Sequence, residues 1–458
     1  RLHAQVFDRG YKGVNIYEIN AATGQVRRVA RNENKTMVET ALSRCRVLPE
    51  LNKLLLTSEQ DGWNHIYVYD WKTGKLLRQL TKGQFVVLNI AHVDEKKEQV
   101  YFTAAGKEPE QDPYFVHLYR INLDGSEIVN LTPQAAHHDI FLSPDHKYFV
   151  DRYSRVDLPS VTVLRQLEDG QDVLKLEKAD YSEVEALGWQ PPEPFKVKAA
   201  DGETDIYGLI WRPTNFNPQR KYPVIDATYT GPQAVATPKT IGRALFHGNT
   251  ALAELQFICL TVDGRGTARR SKKFHDYSYN NLGGGCLDHV AAIKQLAEKY
   301  PYLDTERVGI YGHSAGGYDT VRAMLAWPDF YKVGVSSSGN HDHRMAKAWW
   351  PEQYMGYPVG PFYEEQSNIT NAGKLEGKLL LVHGEMDENV NPAATLRLVD
   401  ALIKHNKDFE LLILPTCHHG YRGVYGDYFT RKRWDFFVRY LHGVEPPEYS
   451  LIQPPEKD

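Results

Sequence analysis

Cysteine is scarce in this 458-residue sequence, and its few copies follow no metal-binding or redox pattern. Cys45, Cys259, Cys286 and Cys417 lie far apart, without the C-x-x-C spacing of a zinc site or a thioredoxin-like pair. Their spacing leaves open whether they form disulfides. Long apolar runs are missing too, because no stretch approaches the roughly 20 residues that a membrane helix needs. The sequence therefore predicts no membrane span.

An excess of basic charge is also absent. The chain has 54 Lys and Arg against 58 Asp and Glu, a formal net charge of -4, which disfavours nucleic acid and anionic membranes as partners. Its 42% hydrophobic and 24% charged residues are ordinary for a globular protein, and its length predicts two or three domains. The chain begins at Arg1 with no signal peptide and an immediate strand pattern, so we expect a fragment or a processed form.

Three segments of the N-terminal half repeat one pattern, a strand followed by a turn glycine. They are residues 15–24, 65–74 and 117–125, with a weaker fourth copy at 160–170, and their turn glycines are 50, 51 and 45 residues apart. The strands are rich in Tyr, Val and Ile and no helical stretch interrupts them, which is typical of β-propeller blades. We predict about four blades in residues 1–190, part of a truncated propeller. An open β-sandwich is the alternative, which the regular spacing disfavours.

The pattern changes near residues 189–194, a proline-rich stretch that suits a linker. Beyond it, apolar runs alternate with amphipathic helical segments, the signature of a mostly parallel, doubly wound sheet. We therefore predict an α/β domain over residues 191–458. Its predicted strands are 223–228, 256–262, 307–311, 332–337, 378–382 and 409–414, and its predicted helices include 287–299, 320–326, 392–405 and 428–441.

One strand of this domain runs into G-x-S-x-G. Gly312, Ser314 and Gly316 form the motif, and a helical segment follows it. A nucleophilic serine needs a tight strand-to-helix turn with small neighbours, so that its hydroxyl is exposed at the sheet's edge. A chance glycine-rich turn is the alternative, which the flanking strand and helix disfavour. Ser314 is the predicted nucleophile.

A serine hydroxyl needs a histidine to accept its proton and a carboxylate to orient that histidine, in the chain order Ser, acid, His. The strand 378–382 ends in a loop with three acids, of which Asp387 is preferred over Glu385 and Glu388. The last predicted strand ends before two histidines. His419, beside a glycine, is preferred over His418 as the general base.

The tetrahedral intermediate needs hydrogen-bond donors for its oxyanion. We predict the backbone N–H of Ala315 as one donor. The hydroxyl of Tyr229, just past the first predicted α/β strand, is the candidate for the second, although on sequence alone such a tyrosine is more often a packing residue. No cofactor is implied. The pair His341 and His343 lacks a recognisable third metal ligand, and the Gly283–Gly285 run lacks the spacing of a phosphate-binding loop.

These motifs together resemble the prolyl oligopeptidase family of serine peptidases, and its dipeptidyl peptidase IV branch in particular. The matching segments are residues 221–224, 229–232, 263–266, 312–318, 354–356, 383–390 and 419–421. The resemblance implies a propeller before a hydrolase domain, a triad of Ser314, Asp387 and His419, and Tyr229 as oxyanion donor. It also implies short peptides as substrates and Asn389, Trp350 and Tyr318 as residues of the substrate pocket. A homodimer and an extracytoplasmic location are further implications.

Some positions depart from the branch. Ala315 stands where the branch has a tyrosine beside its proline-sized pocket, and Trp350, Ala346 and His343 occupy its other aromatic positions. A preference for proline is therefore in question. The branch also binds the free N-terminus of its substrate through a pair of adjacent glutamates on the propeller, and residues 1–190 contain no Glu-Glu pair.

The sequence leaves three hypotheses. The first is an exopeptidase that releases dipeptides or single residues from peptide N-termini. The second is an acylaminoacyl peptidase or a carboxylesterase on the same triad. The third is a catalytically idle binding module, which the complete set of triad candidates disfavours.

Overall fold

The computed structural model describes residues 2–448. Its N-terminal part consists of four antiparallel sheets that follow one another along the chain, β1 to β3, β4 to β7, β8 to β11 and β12 to β15. The strands are β1 (Leu2–Phe7), β2 (Gly13–Ile19), β3 (Val26–Glu33), β4 (Cys45–Leu48), β5 (Lys53–Ser58), β6 (His65–Asp70), β7 (Leu76–Gln79), β8 (Val86–Asp94), β9 (Gln99–Ala105), β10 (Val116–Asn122), β11 (Val129–Asn130), β12 (His137–Leu142), β13 (Tyr148–Arg155), β14 (Leu158–Gln166) and β15 (Asp172–Lys178).

The four sequence repeats correspond to the strands β2, β6, β10 and β14. Each is followed by its turn glycine, and Gly24, Gly74, Gly125 and Gly170 all have positive φ angles between 71° and 90°, a conformation that costs glycine little. Every sheet is built from consecutive strands, as propeller blades are. The prediction of propeller blades is confirmed, and the alternative of an open sandwich is wrong.

The C-terminal part contains one eight-stranded sheet in the order β16-β17-β19-β18-β20-β21-β22-β23. The strands are β16 (Glu193–Lys198), β17 (Asp205–Trp211), β18 (Tyr222–Ala227), β19 (Ile258–Asp263), β20 (Leu303–His313), β21 (Tyr331–Ser337), β22 (Lys378–Gly384) and β23 (Glu410–Leu414). The helices are α1 (Ser182–Ala186), before this sheet, then α2 (Ile241–Leu245), α3 (Gly248–Glu254), α4 (Lys272–His275), α5 (Cys286–Lys299), α6 (Ala315–Ala326), α7 (Trp349–Met355), α8 (Pro361–Glu365), α9 (Ala393–Lys404) and α10 (Val424–Phe437).

The sheet is covered on both faces. Strands β18 to β23 pair in parallel, whereas β16 and β17 pair antiparallel at one edge. Apolar residues of α5, α6 and α9 pack on one face, and those of α3 and α10 pack on the other. This is the predicted doubly wound, mostly parallel α/β-hydrolase architecture, and it brings the carboxyl ends of the parallel strands to one edge, where sites in such sheets lie.

Three predicted boundaries need correction. Helix α6 begins at Ala315 rather than near residue 320, because the chain turns directly from Ser314 into the helix. The last helix is α10, which begins at Val424 and ends at Phe437, and a short π-helical turn follows it. The proline-rich linker gives way at Glu193 to β16, where Pro194 is tolerated because β16 is an edge strand.

Two further observations concern the cysteines and membrane helices within residues 2–448. The four cysteines are all unpaired. No helix in this part of the chain is long and apolar enough to cross a membrane.

Contacts between the blades and the α/β part help to position the α7 region. Met37, in the loop after β3, belongs to one buried apolar cluster with Leu282, Tyr318 and Tyr354. Glu39, which follows in the same loop, is buried and accepts a hydrogen bond from Tyr354 Oη at 2.9 Å. Helix α7, which carries Tyr354, is therefore in contact both with the loop after β3 and with other residues of the α/β part.

Candidate active site

Ser314 lies at the turn between β20 and α6. Its backbone angles are φ 61° and ψ -118°, a strained conformation for a residue with a side chain, and such strain is concentrated at functional sites. Its N–H donates to Ser337 O of the neighbouring strand β21 at 2.9 Å. The turn is therefore fixed by the sheet, as a nucleophile elbow requires.

The glycines of the motif are required by close backbone contacts. A Cβ atom on Gly312 would lie 2.4 Å from Gly316 O, and one on Gly316 would lie 2.3 Å from Thr228 O. Real Cβ atoms essentially never approach another atom so closely. Only glycine lets the elbow pack this tightly against the loop that follows β18.

Asp387 and His419 form a hydrogen-bonded pair. His419 Nδ1 lies 2.8 Å from Asp387 Oδ2. Because the carboxylate can only accept, Nδ1 carries the proton and Nε2 is left as the basic nitrogen. No hydrogen bond joins Ser314 to His419 within residues 2–448, and in unliganded sites such bonds are often long.

The two candidate histidines and the three candidate acids differ in their contacts and in their exposure. His418 Nδ1 lies 2.8 Å from Glu388 Oε2, and both side chains are largely exposed. Glu385 accepts from a backbone N–H at 3.1 Å. Among these five residues, His419 and Asp387 alone combine a mutual hydrogen bond with a buried carboxylate.

Asp387 has further partners that sequence reasoning did not identify. Its Oδ1 accepts from the backbone N–H groups of Asn389 and Val390 at 2.9 and 2.8 Å. The ring Nε2 of His383, at the end of β22, lies 3.2 Å from Oδ2. Burial opposes ionisation, but these contacts from His383, His419 and the backbone outweigh it and hold the pKa of Asp387 far below its usual range. The carboxylate is charged whenever the protein is folded near neutral pH.

A third histidine packs against His419. The rings of His313 and His419 lie 4.8 Å apart between centroids, and His313 Nδ1 lies 3.0 Å from Ser337 Oγ. Burial, together with the neighbouring His419, lowers the pKa of His313 to about 4. His313 is therefore neutral near pH 7 and supports the ring of His419 without adding a competing charge.

Ala315 and Tyr229, the two candidate oxyanion donors, line the same cavity as Ser314. The backbone N–H of Ala315 stands at the first position of α6, where helix N–H groups have no partner inside the helix. The hydroxyl of Tyr229 accepts a hydrogen bond from Gln233 Nε2 at 2.8 Å. Trp350 Nε1 donates to Gln233 Oε1 at 3.3 Å, which fixes the orientation of that amide. Because Gln233 is the donor to Tyr229, the proton of the Tyr229 hydroxyl stays available for another acceptor.

Tyr229 is held in its protonated form. Burial and the nearby charge of Asp319 raise its pKa to about 12. A phenol with this pKa donates a hydrogen bond at neutral pH and does not present a negative oxygen to a developing oxyanion.

A cavity of about 470 Å³ opens beside Ser314. Six predicted site residues line it, namely Ser314, Ala315, Tyr229, Tyr318, Trp350 and Asn389. Asp387 and His419 do not line it, although the loop that carries Asp387 contributes Glu388 to Asn391. The cavity thus brings together residues from four separate stretches of the chain.

Two of the predicted pocket side chains already have partners. Tyr318 is buried, and its hydroxyl donates to Gln366 O at 2.7 Å, so only its ring is free to contact a ligand. The amide oxygen of Asn389 accepts a hydrogen bond from Lys347 Nζ. A ligand that uses the Asn389 amide would therefore contact its NH₂ group or displace Lys347.

His341 and His343, considered above as a metal pair, have separate hydrogen-bond partners. Nδ1 of each ring contacts a different asparagine, Asn368 and Asn340 respectively. Within residues 2–448, no group of three His, Cys, Asp or Glu side chains is arranged to hold a metal ion.

Sequence profiles of two peptidase regions match the chain. The profile of the prolyl oligopeptidase family matches residues 244–444. The profile of the dipeptidyl peptidase IV N-terminal region matches residues 1–160. The two matches fall on the α/β part and on the blades respectively.

Individual proteins give the same picture. The chain is 29% identical to dipeptidyl peptidase 8 of Mus musculus over 364 residues, which is 75% of this chain and 40% of that protein. It is 29% identical to dipeptidyl peptidase 4 of Trichophyton equinum over 350 residues, 73% of this chain and 44% of that protein. The chain therefore spans less than half the length of these curated relatives.

Two solved structures share the fold. A candidate dipeptidyl aminopeptidase IV from Bacteroides ovatus superposes with a TM-score of 0.86 and 28% identity, covering 96% of this chain and 64% of that one. Dipeptidyl peptidase 4 from Porphyromonas gingivalis gives a TM-score of 0.86 at 24% identity, covering 96% and 62%. The similarity extends over both the blades and the α/β part.

Proposed function

The chain belongs to the prolyl oligopeptidase family, and from this premise we propose that it is a serine peptidase that releases dipeptides or single residues from the N-termini of short peptides. One observation carries the proposal. Ser314, with its strained backbone, lines one cavity together with Tyr229 and Ala315, and the loop that carries Asp387, the partner of His419, lines the same cavity.

In the proposed mechanism, Ser314 Oγ attacks the carbonyl carbon of the scissile peptide while His419 Nε2 accepts the hydroxyl proton. The carbonyl oxygen becomes an oxyanion and accepts hydrogen bonds from Ala315 N–H and Tyr229 Oη–H. His419 then gives its proton to the leaving nitrogen, the C–N bond breaks, and an acyl-enzyme remains on Ser314. Water repeats the sequence with His419 as base and releases the carboxylic acid.

Asp387 keeps its charge throughout this cycle. Its negative charge stabilises the imidazolium that His419 becomes when it accepts the Ser314 proton. The deeply lowered pKa of Asp387 means that the proton stays on His419, from which the leaving amine can take it.

We propose that the pocket accepts side chains other than proline next to the scissile bond. Small residues, Ala315 and Ala346, line the cavity together with the rings of Tyr318, His343 and Trp350. Because Ala315 and Ala346 are small, the cavity is wider than it would be with larger residues at these two positions. Asn389 is the candidate contact to the substrate backbone.

Three further points are proposals from the family resemblance. We assign residues 1–190 to the propeller part and 191–458 to the catalytic part, which agrees with the first strand of the eight-stranded sheet at Glu193. We also propose that the protein forms homodimers and works outside the cytoplasm.

The experiment is cleavage of dipeptide and single-residue p-nitroanilides, among them Gly-Pro, Lys-Ala and Ala-Ala, each with a free and a blocked N-terminus. Hydrolysis of the free-amine substrates only is the expected result, and their ranking gives the preferred residue. Activity restricted to blocked amides or to short acyl esters would contradict the proposal and favour an acylaminoacyl peptidase or a carboxylesterase.

A further inference from the structure

Asp319 joins the nucleophile helix to the loop that carries Tyr229. It lies in α6, five residues after Ser314, and its side chain points back to that loop. Asp319 Oδ2 accepts the backbone N–H of Thr230 at 2.6 Å, and Oδ1 accepts the Thr230 hydroxyl at 2.8 Å. Both residues are almost fully buried. One carboxylate thus binds the residue next to Tyr229 at two points.

The other hydrogen bonds of the loop go to residues outside α6. Tyr229 follows β18 after a single residue, and its hydroxyl contacts Gln233 within the same short segment. The carbonyl of Pro232 lies 2.8 Å from His275 Nε2. Asp319 therefore provides a direct hydrogen-bonded link between the Tyr229 loop and the helix that begins next to Ser314.

We propose that Asp319 is a positioning residue, which holds the Tyr229 hydroxyl over the oxyanion site by binding Thr230. The proposal rests on the proposed function, because it needs Tyr229 to be an oxyanion donor. Oxyanion donors act only when they lie close to where the charge develops, so a small displacement of the loop removes most of their effect.

The charge of Asp319 is poised for titration. Burial raises its pKa to about 6, although the bonds from Thr230 favour the charged form. A carboxylate offers two acceptors, whereas the protonated acid turns one oxygen into a donor and opposes a donor of Thr230. The titratable groups that interact with it are His289 of α5, Asp226 of β18, Cys286 of α5, Tyr229 of the loop and Tyr318 of α6.

The test uses residues 1–458 and a double-mutant cycle between Tyr229→Phe and Asp319→Ala. The readouts are kcat on the best p-nitroanilide and the rate of Ser314 labelling by a fluorophosphonate, whose phosphoryl oxygen occupies the oxyanion site. Tyr229→Phe should lower both by about 10²- to 10³-fold. Asp319→Ala should lower both by roughly 10- to 100-fold with little change in KM, but by less than about threefold when it is combined with Tyr229→Phe.

A second variant separates position from charge. Asp319→Asn keeps an acceptor for the Thr230 N–H, but like the protonated acid it replaces the acceptor of the Thr230 hydroxyl with a donor. Its kcat at pH 7.5 should be up to about tenfold lower than that of wild type. From pH 7.5 to 5.0 the ratio of wild-type to variant kcat should fall towards one, because only the wild type loses the carboxylate.

Asp151→Asn serves as the control, since it neutralises another buried carboxylate, paired with Arg165 in the fourth blade. It should lower stability and leave kcat unchanged. The proposal is overturned if Asp319→Ala is fully active, or if its effect is as large in the Tyr229→Phe variant as in the wild type. Failure of the proposed function would be different, because the wild type itself would then leave the free-amine p-nitroanilides uncleaved.

Discussion

Neutralising Asp319 should stabilise the protein in a pH-dependent way. Its carboxyl has a pKa of about 6 in the folded chain against an ordinary value of 3.8, so the folded state binds its proton more tightly than the unfolded state does. For an acid shifted in this direction, stability is highest below the unfolded pKa and falls as the pH rises through the folded one. Asp319→Asn removes this dependence.

The magnitude follows from the same two pKa values. Full ionisation of buried Asp319 costs about 3 kcal/mol of unfolding free energy, at about 1.4 kcal/mol for each pH unit of difference. Between pH 5.0 and 7.5, where the folded carboxyl loses its proton, the change amounts to about 1.4 kcal/mol. The stability advantage of Asp319→Asn over wild type should therefore grow by this amount across that range.

The assay is urea unfolding of wild type and Asp319→Asn, followed by tryptophan fluorescence at pH 5.0, 6.0 and 7.5. Tyr229→Phe serves as the matched control, since it alters the same loop without changing a carboxyl group. A stability difference between Asp319→Asn and wild type that is constant with pH, or that shrinks as the pH rises, would refute the reasoning.

Three other changes test separate parts of the account. Gly316→Ala would place a Cβ 2.3 Å from a backbone carbonyl oxygen, so the elbow should be displaced and fluorophosphonate labelling should fall by at least tenfold; labelling at the wild-type rate would contradict the elbow geometry. Glu39→Ala leaves the buried Tyr354 hydroxyl without its acceptor and should cost about 1 to 3 kcal/mol in urea unfolding, with a raised KM; unchanged unfolding and KM would argue against the link between blade and pocket. His418→Gln should keep kcat within about threefold, whereas His419→Gln should lower it by 10³-fold or more; the reverse order would assign the base to His418.

The fold could largely be predicted from the sequence. The spacing of Gly24, Gly74, Gly125 and Gly170 reports turns that repeat once in each blade, and positive φ angles at all four explain why glycine recurs. The buried parallel strands are predicted by near-continuous apolar runs between amphipathic helices. Patterns of this kind are local, so they can be recognised in the sequence without knowledge of the tertiary contacts.

The start of α6 could not be predicted in the same way. Gly316 and Gly317 are poor helix formers, and their presence delays the predicted start to about residue 320. In the structure both residues are helical. Both positions require glycine, because a Cβ at either one would lie 2.3 Å from a backbone oxygen. Here the close packing of the elbow overrides helix propensity.

The site also contains residues that the sequence suggests and contacts that it does not. Ser314, Asp387 and His419 each follow a recognisable strand, so chain order and flanking residues suggest them. The supporting contacts join residues that are far apart in sequence, with Asp319 and Thr230 separated by 89 positions and Glu39 and Tyr354 by 315. Such pairs depend on how complete elements pack, which a single sequence does not report. His383 is an intermediate case, because it stands in a motif segment but its contact with Asp387 needs the loop geometry.

The central claim is that Ser314 is the nucleophile of a serine peptidase. The most direct measurement is intact-protein and peptide mass spectrometry after reaction with a fluorophosphonate, alongside p-nitroanilide hydrolysis by wild type and Ser314→Ala. We predict one adduct, located on Ser314, and a loss of several orders of magnitude in rate for Ser314→Ala. An adduct on another residue, or hydrolysis that survives in Ser314→Ala, would contradict the account.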